Sequence, residues 1–287
     1  MKKITAAVLC GAVMALLCAC SPAATEPAAT KTKSATPTPE APSATATAVT
    51  PTATAGAEAD FSLEGCEALS SVKTDLDGDG TEESVEFIKK AEGVTVRVSR
   101  GEALTEYTLP PEAENAVSQY VLKNGKRSCV LFCYDLASDD YQTAIISLGK
   151  ELEVNILDGI VKNFEYGVLN LNLTVNVAGT WSGIVTYAPN SDMHFERVGK
   201  LYGINAKREL TVKKALSAFD ADGGKFTLEA GTKLRLAASD LESVLYFSIE
   251  SKDSSCSFTI APQEDSGEFL IDGVPEREAF DGLEYYD

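Results

Sequence analysis

Hydrophobic and polar positions alternate along much of this chain. Val94, Val96 and Val98 are separated by Thr95, Arg97 and Ser99, and Leu169, Leu171, Leu173, Val175 and Val177 by Asn170, Asn172, Thr174 and Asn176. A period of two puts every second side chain on one face, so both stretches read as half-buried β-strands. Further strand-like runs lie at 128–134, 143–148, 183–187, 225–228, 233–236, 244–249 and 255–260. Turn signals such as Ala221-Asp-Gly-Gly224 and Glu229-Ala-Gly231 separate them. Helical periodicity is scarce, with residues 111–122 its best candidate. The pattern predicts a mainly β fold of antiparallel sheets, built as a sandwich or barrel. A polar interruption over 203–208 divides it into two β domains, 61–204 and a smaller 205–287.

The first sixty residues do not share this pattern. Met1, Lys2 and Lys3 precede an uncharged apolar run over residues 4–17, the arrangement of a secretory signal. That run is too short to span a bilayer, which takes about 20 apolar residues. Leu17-Cys-Ala-Cys20-Ser21 follows it. This resembles the lipobox of bacterial lipoproteins, and the resemblance implies removal of residues 1–19 and lipidation of Cys20. It also implies more than one acyl chain, as stable anchoring requires. The plainer reading is an ordinary secretory signal cut nearby. Residues 20–60 are nearly all Ala, Thr, Pro, Ser and Glu, a composition that cannot build a core and reads as a solvated linker. The expected location is the extracytoplasmic face of the cell membrane, reached through the lipid anchor alone.

Charge narrows the partners. Lys and Arg number 25 against 43 Asp and Glu, a net charge of −18 that argues against nucleic acid and against general adhesion to anionic surfaces. Cys66, Cys129, Cys133 and Cys256 lie in the expected folded part. Four cysteines allow three pairings, yet buried free thiols explain them equally well, and no disulfide is assigned. Cys129 and Cys133 stand about 13 Å apart on one strand, too far for a bond between them.

One stretch carries chemistry. Asp75-Leu-Asp77-Gly-Asp79-Gly80-Thr81-Glu82-Glu83-Ser-Val-Glu86 packs six carboxylates into twelve residues, and such a density repels itself unless a cation intervenes. Asp75, Asp77 and Asp79 stand at relative positions 1, 3 and 5, with Gly80 at 6 for the turn. Thr81 at 7 offers a carbonyl, and Glu83 and Glu86 follow at 9 and 12. This is the ligand order of an EF-hand-type Ca²⁺ loop, and its hard oxygen donors suit that ion. Glu82 holds the eighth position, usually apolar in that family. Val85 and Phe87 then lead towards the strand at 94–98 as a hairpin would, which favours flanking strands over helices. In that setting the loop resembles those of FG-GAP and VCBS-type repeats of bacterial surface proteins, although a propeller needs several repeats and one good copy is present. The bland alternative is an acidic hairpin turn. Farther along, 231–250 is faintly similar to a bacterial SH3-type barrel without its tryptophans.

No catalytic set stands out. Residues 179–183 miss the nucleophile-elbow spacing, and His194, the one histidine, reads as structural between Met193 and Phe195. Trp181 with Tyr187 offers an aromatic platform but reads more simply as core, and Asp222 reads as a turn. The expected function is a calcium-braced binding module for a cell-wall polymer, glycan or surface protein. A lipid-anchored hydrolase using a carboxylate pair is the alternative.

Overall fold

The computed structural model describes residues 61–137, 140–252, 254–263 and 268–285. The signal, Cys20 and the linker lie outside the described residues, and no helix among the described residues is long and apolar enough to cross a membrane. The fold is mainly β with antiparallel sheets, as the alternation predicts.

Nine strands form the first two sheets: β1 (Ser62–Cys66), β2 (Val72–Thr74), β3 (Glu83–Lys90), β4 (Gly93–Arg100), β5 (Ala103–Thr108), β6 (Ala116–Lys123), β7 (Ser128–Ala137), β8 (Asp140–Leu148) and β9 (Leu152–Asp158). One sheet runs β2-β3-β4-β5, the other β1-β6-β7-β8-β9. Val85, Val96 and Val98 of the first pack against Val130, Phe132, Tyr134 and Ile146 of the second. The third layer begins with β10 (Ile160–Glu165), β11 (Val168–Asn176) and β12 (Thr180–Pro189). Its Val161, Leu169, Leu171 and Val185 cover the opposite face of the five-stranded sheet, against Cys129, Leu131, Cys133 and Ile145.

The five-stranded sheet is therefore buried on both sides. This explains why Ser128 to Tyr134 reads as a continuous apolar run instead of an alternation: every residue of it is buried. Phe132 on one face and Leu131 on the other each contribute about 2–3 kcal/mol by leaving water.

The β11–β12 hairpin is long enough to serve two cores. Its far end supplies Val175, Val177 and Trp181 to a second cluster with Leu234, Phe247, Phe258 and Phe280. The three phenylalanine rings lie 5.5–5.9 Å apart, the spacing of favourable edge and tilted contacts. Short strands β13 (Phe195–Arg197) and β14 (Tyr202–Ile204) both pair with β12, and β14 also pairs with the strand Lys233–Ser239. Hydrogen-bonded sheet thus runs across positions 204 and 205, where the polar interruption was read as a divide.

Residues 111–122 are not a helix. A single 3₁₀ turn, Pro111–Glu114, ends at Asn115, and β6 occupies the remainder between β1 and β7. Pairing on both edges, together with burial of Gln119, Val121 and Leu122, outweighs the local helical pattern.

Candidate metal centre

The acidic loop spans the gap between β2 and β3, whose pairing of Thr74 with Glu83 closes its ends. Leu76, 1% exposed, sinks into the first core and pins the loop from below. The Asp75 carbonyl accepts hydrogen bonds from the Ser128 N–H at 2.8 Å and the Ser128 hydroxyl at 2.6 Å, which tie it to the start of β7. Gly78 and Gly80 take φ of 79° and 89°, a conformation costly for any residue with a Cβ.

Within this frame the carboxylates turn inward. Asp75 accepts from the Gly78 N–H at 2.7 Å and the Gly80 N–H at 2.8 Å, and Asp77 accepts from the Asp79 N–H at 3.1 Å. Oxygens of Asp75, Asp77 and Glu83 lie within 4.8 Å of one another. Glu83 is fully buried: its Oε2 accepts from the Leu76 N–H at 2.8 Å, while its Oε1 has no hydrogen-bond partner. Burial, with Asp77, Asp75 and Asp79 as neighbours, pushes the Glu83 carboxyl above its usual range. A buried carboxylate oxygen left without a donor is costly. An all-oxygen set with an unmet acceptor suits a hard cation such as Ca²⁺, which takes six to eight oxygens.

The other expected ligands lie differently. Asp79 is turned towards Arg100, whose guanidinium, with the Thr81 N–H at 2.7 Å, holds its carboxyl below the usual range. Glu86 sits on β3 three residues beyond Glu83 and so on the opposite face, where Arg97 of β4 lies 3.7 Å away. The loop is flanked by strands, and a strand carries its twelfth position away from the cluster where a helix would return it.

Arg100 is the residue that loop spacing does not reveal. Antiparallel pairing of Ser84 with Ser99 sets Arg100 level with Glu83, at the end of β4. Its Nη1 forms an ion pair with Asp77 at 2.9 Å, its Nη2 donates a hydrogen bond to Asp79, and its Nε lies 3.8 Å from Glu83. The signal in the sequence was the β3–β4 register, countable from the turn at 91–92.

Other candidates resolve plainly. Trp181 is core: its indole N–H donates to the Val177 and Ala178 carbonyls at 3.0 and 3.1 Å, with Arg208 stacked on the ring. Asp222 belongs to a hairpin turn in which Asp220 accepts its N–H at 3.0 Å. His194 is half exposed, with Nδ1 3.5 Å from Glu153, on a polar cleft of about 530 Å³ that Asp77 and Asp79 also line. Cys66, Cys129, Cys133 and Cys256 are free thiols. The chain matches no known family model, no curated protein and no solved structure.

Proposed function

We propose that this chain is an exported lipoprotein, tethered to the membrane through Cys20, whose β ectodomain holds a calcium ion in the 75–83 loop. Its work is binding at the cell envelope, to a wall polymer, a glycan or another surface protein. The observation that carries the calcium reading is Glu83 Oε1, buried and without a hydrogen bond beside Asp75 and Asp77. The ion supplies the close positive partner that this oxygen lacks and braces the β2–β3 connection. An affinity in the range of extracellular modules, about 10⁻⁴ to 10⁻³ M, suits such a role. The tether and the linker composition support a setting outside the cytoplasm, where calcium at that level is met.

Isothermal titration of the whole chain with Ca²⁺, against the double variant Asp77→Ala with Asp79→Ala, tests this. The wild type should bind one ion and the variant none; equal heats would sink the reading. Acyl labelling that survives Cys20→Ala would remove the tether. For the binding role, wall polymers and surface proteins are passed over the immobilised chain with and without chelator. Retention of none of them under either condition counts against that role.

A further inference from the structure

The loop already contacts a cation, and that cation belongs to the chain. We propose that Arg100 is an internal competitor for the metal: it neutralises the loop when calcium is scarce, must be expelled when calcium binds, and so sets the calcium affinity. This rests on the calcium reading and adds to it a residue outside the loop.

Three features carry the argument. The first is overlap, since Asp77 and Glu83 belong both to the carboxylate cluster and to the surroundings of the guanidinium. A divalent ion among oxygens 4.8 Å apart or less would sit against a fixed positive charge, and the two repel strongly at that range. Deprotonation offers no escape, because a guanidinium keeps its proton at any pH the protein meets.

The second is an incomplete fit. Arg100 serves Asp79 with a hydrogen bond and Asp77 with a 2.9 Å ion pair but reaches Glu83 only at 3.8 Å, so the most buried oxygen of the cluster has no hydrogen bond. As placed on β4, the planar fork leaves Glu83 beyond hydrogen-bond reach, whereas a spherical ion accepts oxygens from any direction. Calcium therefore gains at Glu83 what arginine leaves unmet.

The third is a way out. The Arg100 side chain is 48% exposed, so the guanidinium can swing into water without crossing the core, while β4–β5 pairing with Ala103 holds its backbone in place. In low calcium the same side chain screens the mutual repulsion of Asp77, Asp79 and Glu83 and keeps the loop near its binding shape. The protein can then fold before it meets the ion and respond to calcium over a raised concentration range.

The test is isothermal titration of the whole chain with Ca²⁺ for wild type, Arg100→Gln and Arg100→Lys, with melting of each in EDTA. Arg100→Gln should bind calcium at least about tenfold tighter and melt lower than wild type in EDTA, with the melting gap closing in saturating calcium. Arg100→Lys keeps the charge without the fork and should fall between the two. Calcium bound by both wild type and Arg100→Gln, with equal or weaker affinity in the variant, overturns the role of Arg100 and leaves the calcium reading standing. No heat from wild type or either variant overturns both. Should Arg100→Gln fail to fold, Arg100→Lys decides: affinity no tighter than wild type overturns the proposal.

Discussion

The Glu276 carboxylate accepts a hydrogen bond from the Ala178 N–H at 2.8 Å, joining positions 98 residues apart in the chain. Ala178 sits at the β11–β12 turn with φ of 50°, and its buried N–H has no strand partner to serve it. The Tyr285 hydroxyl donates to the other Glu276 oxygen at 2.5 Å, and the Thr180 N–H donates to the Glu284 carbonyl at 2.7 Å. The end of the described chain is thereby clasped to the tip of the hairpin.

That clasp should depend on pH. Burial pushes the Glu276 carboxyl above its ordinary value of 4.5, against the hydrogen bonds from Tyr285 and Ala178 that favour the charged form. A raised folded-state pKa means the folded chain holds this proton at pH values where the unfolded chain has released it. The contribution to stability is therefore greatest below 4.5 and falls as pH rises through the folded value. Melting of wild type and Glu276→Gln from pH 4 to 7 measures this. The wild type should lose ground to the variant as pH rises over that range. A constant difference at all pH values would contradict it.

The two loop glycines should not be equivalent. At Gly78, φ is 79° and an added Cβ would lie 2.7 Å from Arg127 Cγ; at Gly80, φ is 89° and nothing lies within 4 Å. Left-handed backbone alone costs about 1 kcal/mol, and a clash adds to it. Urea unfolding in EDTA should show Gly80→Ala losing about 1 kcal/mol and Gly78→Ala about 2. Equal losses would mean that the Arg127 side chain yields freely.

How much of this was legible depended on what each residue faces. The alternations at 94–98 and 169–177 became β4 and β11 because each has one face on a core. β5 escaped detection because all six of its residues are exposed and carry no alternation to read. β6 was mistaken for a helix because its pattern is set by two strands remote in sequence. At the site, Asp75, Asp77 and Glu83 were legible from loop spacing, which is local. Glu86 was assigned by analogy with a helix that the strand replaces, and Arg100 enters only through the β3–β4 register.

Burial separates the four thiols among the described residues. Cys66 is half-buried, whereas Cys129, Cys133 and Cys256 are buried. Desolvation pushes the Cys129 thiol up strongly and that of Cys256 to about 12, so neither offers a thiolate at neutral pH. Maleimide labelling followed by peptide mapping should mark Cys66 in the folded protein and the other three only after unfolding. Labelling of Cys129 or Cys133 without denaturant would mean that the five-stranded sheet is open on one side.

Gly183 holds the place where the β11–β12 hairpin passes from one core to the next. It pairs with Leu173, which packs against both cores, and with Ile204 of β14. A Cβ at Gly183 would lie 2.3 Å from Cγ2 of Val175, itself 1% exposed in the second core. No positive φ is involved, so the whole penalty of Gly183→Ala is steric, about 1–3 kcal/mol. Val175→Ala alone leaves a void and should cost roughly 2 kcal/mol. Together the two changes should cost less than their sum, because the methyl added at 183 enters space vacated at 175, and coupling of 0.5 kcal/mol or more is usual for side chains in contact. A double-mutant cycle by urea unfolding reads this coupling. Strict additivity would mean that the two strands part to admit the methyl, and hence that the hairpin is not held rigidly between the two cores.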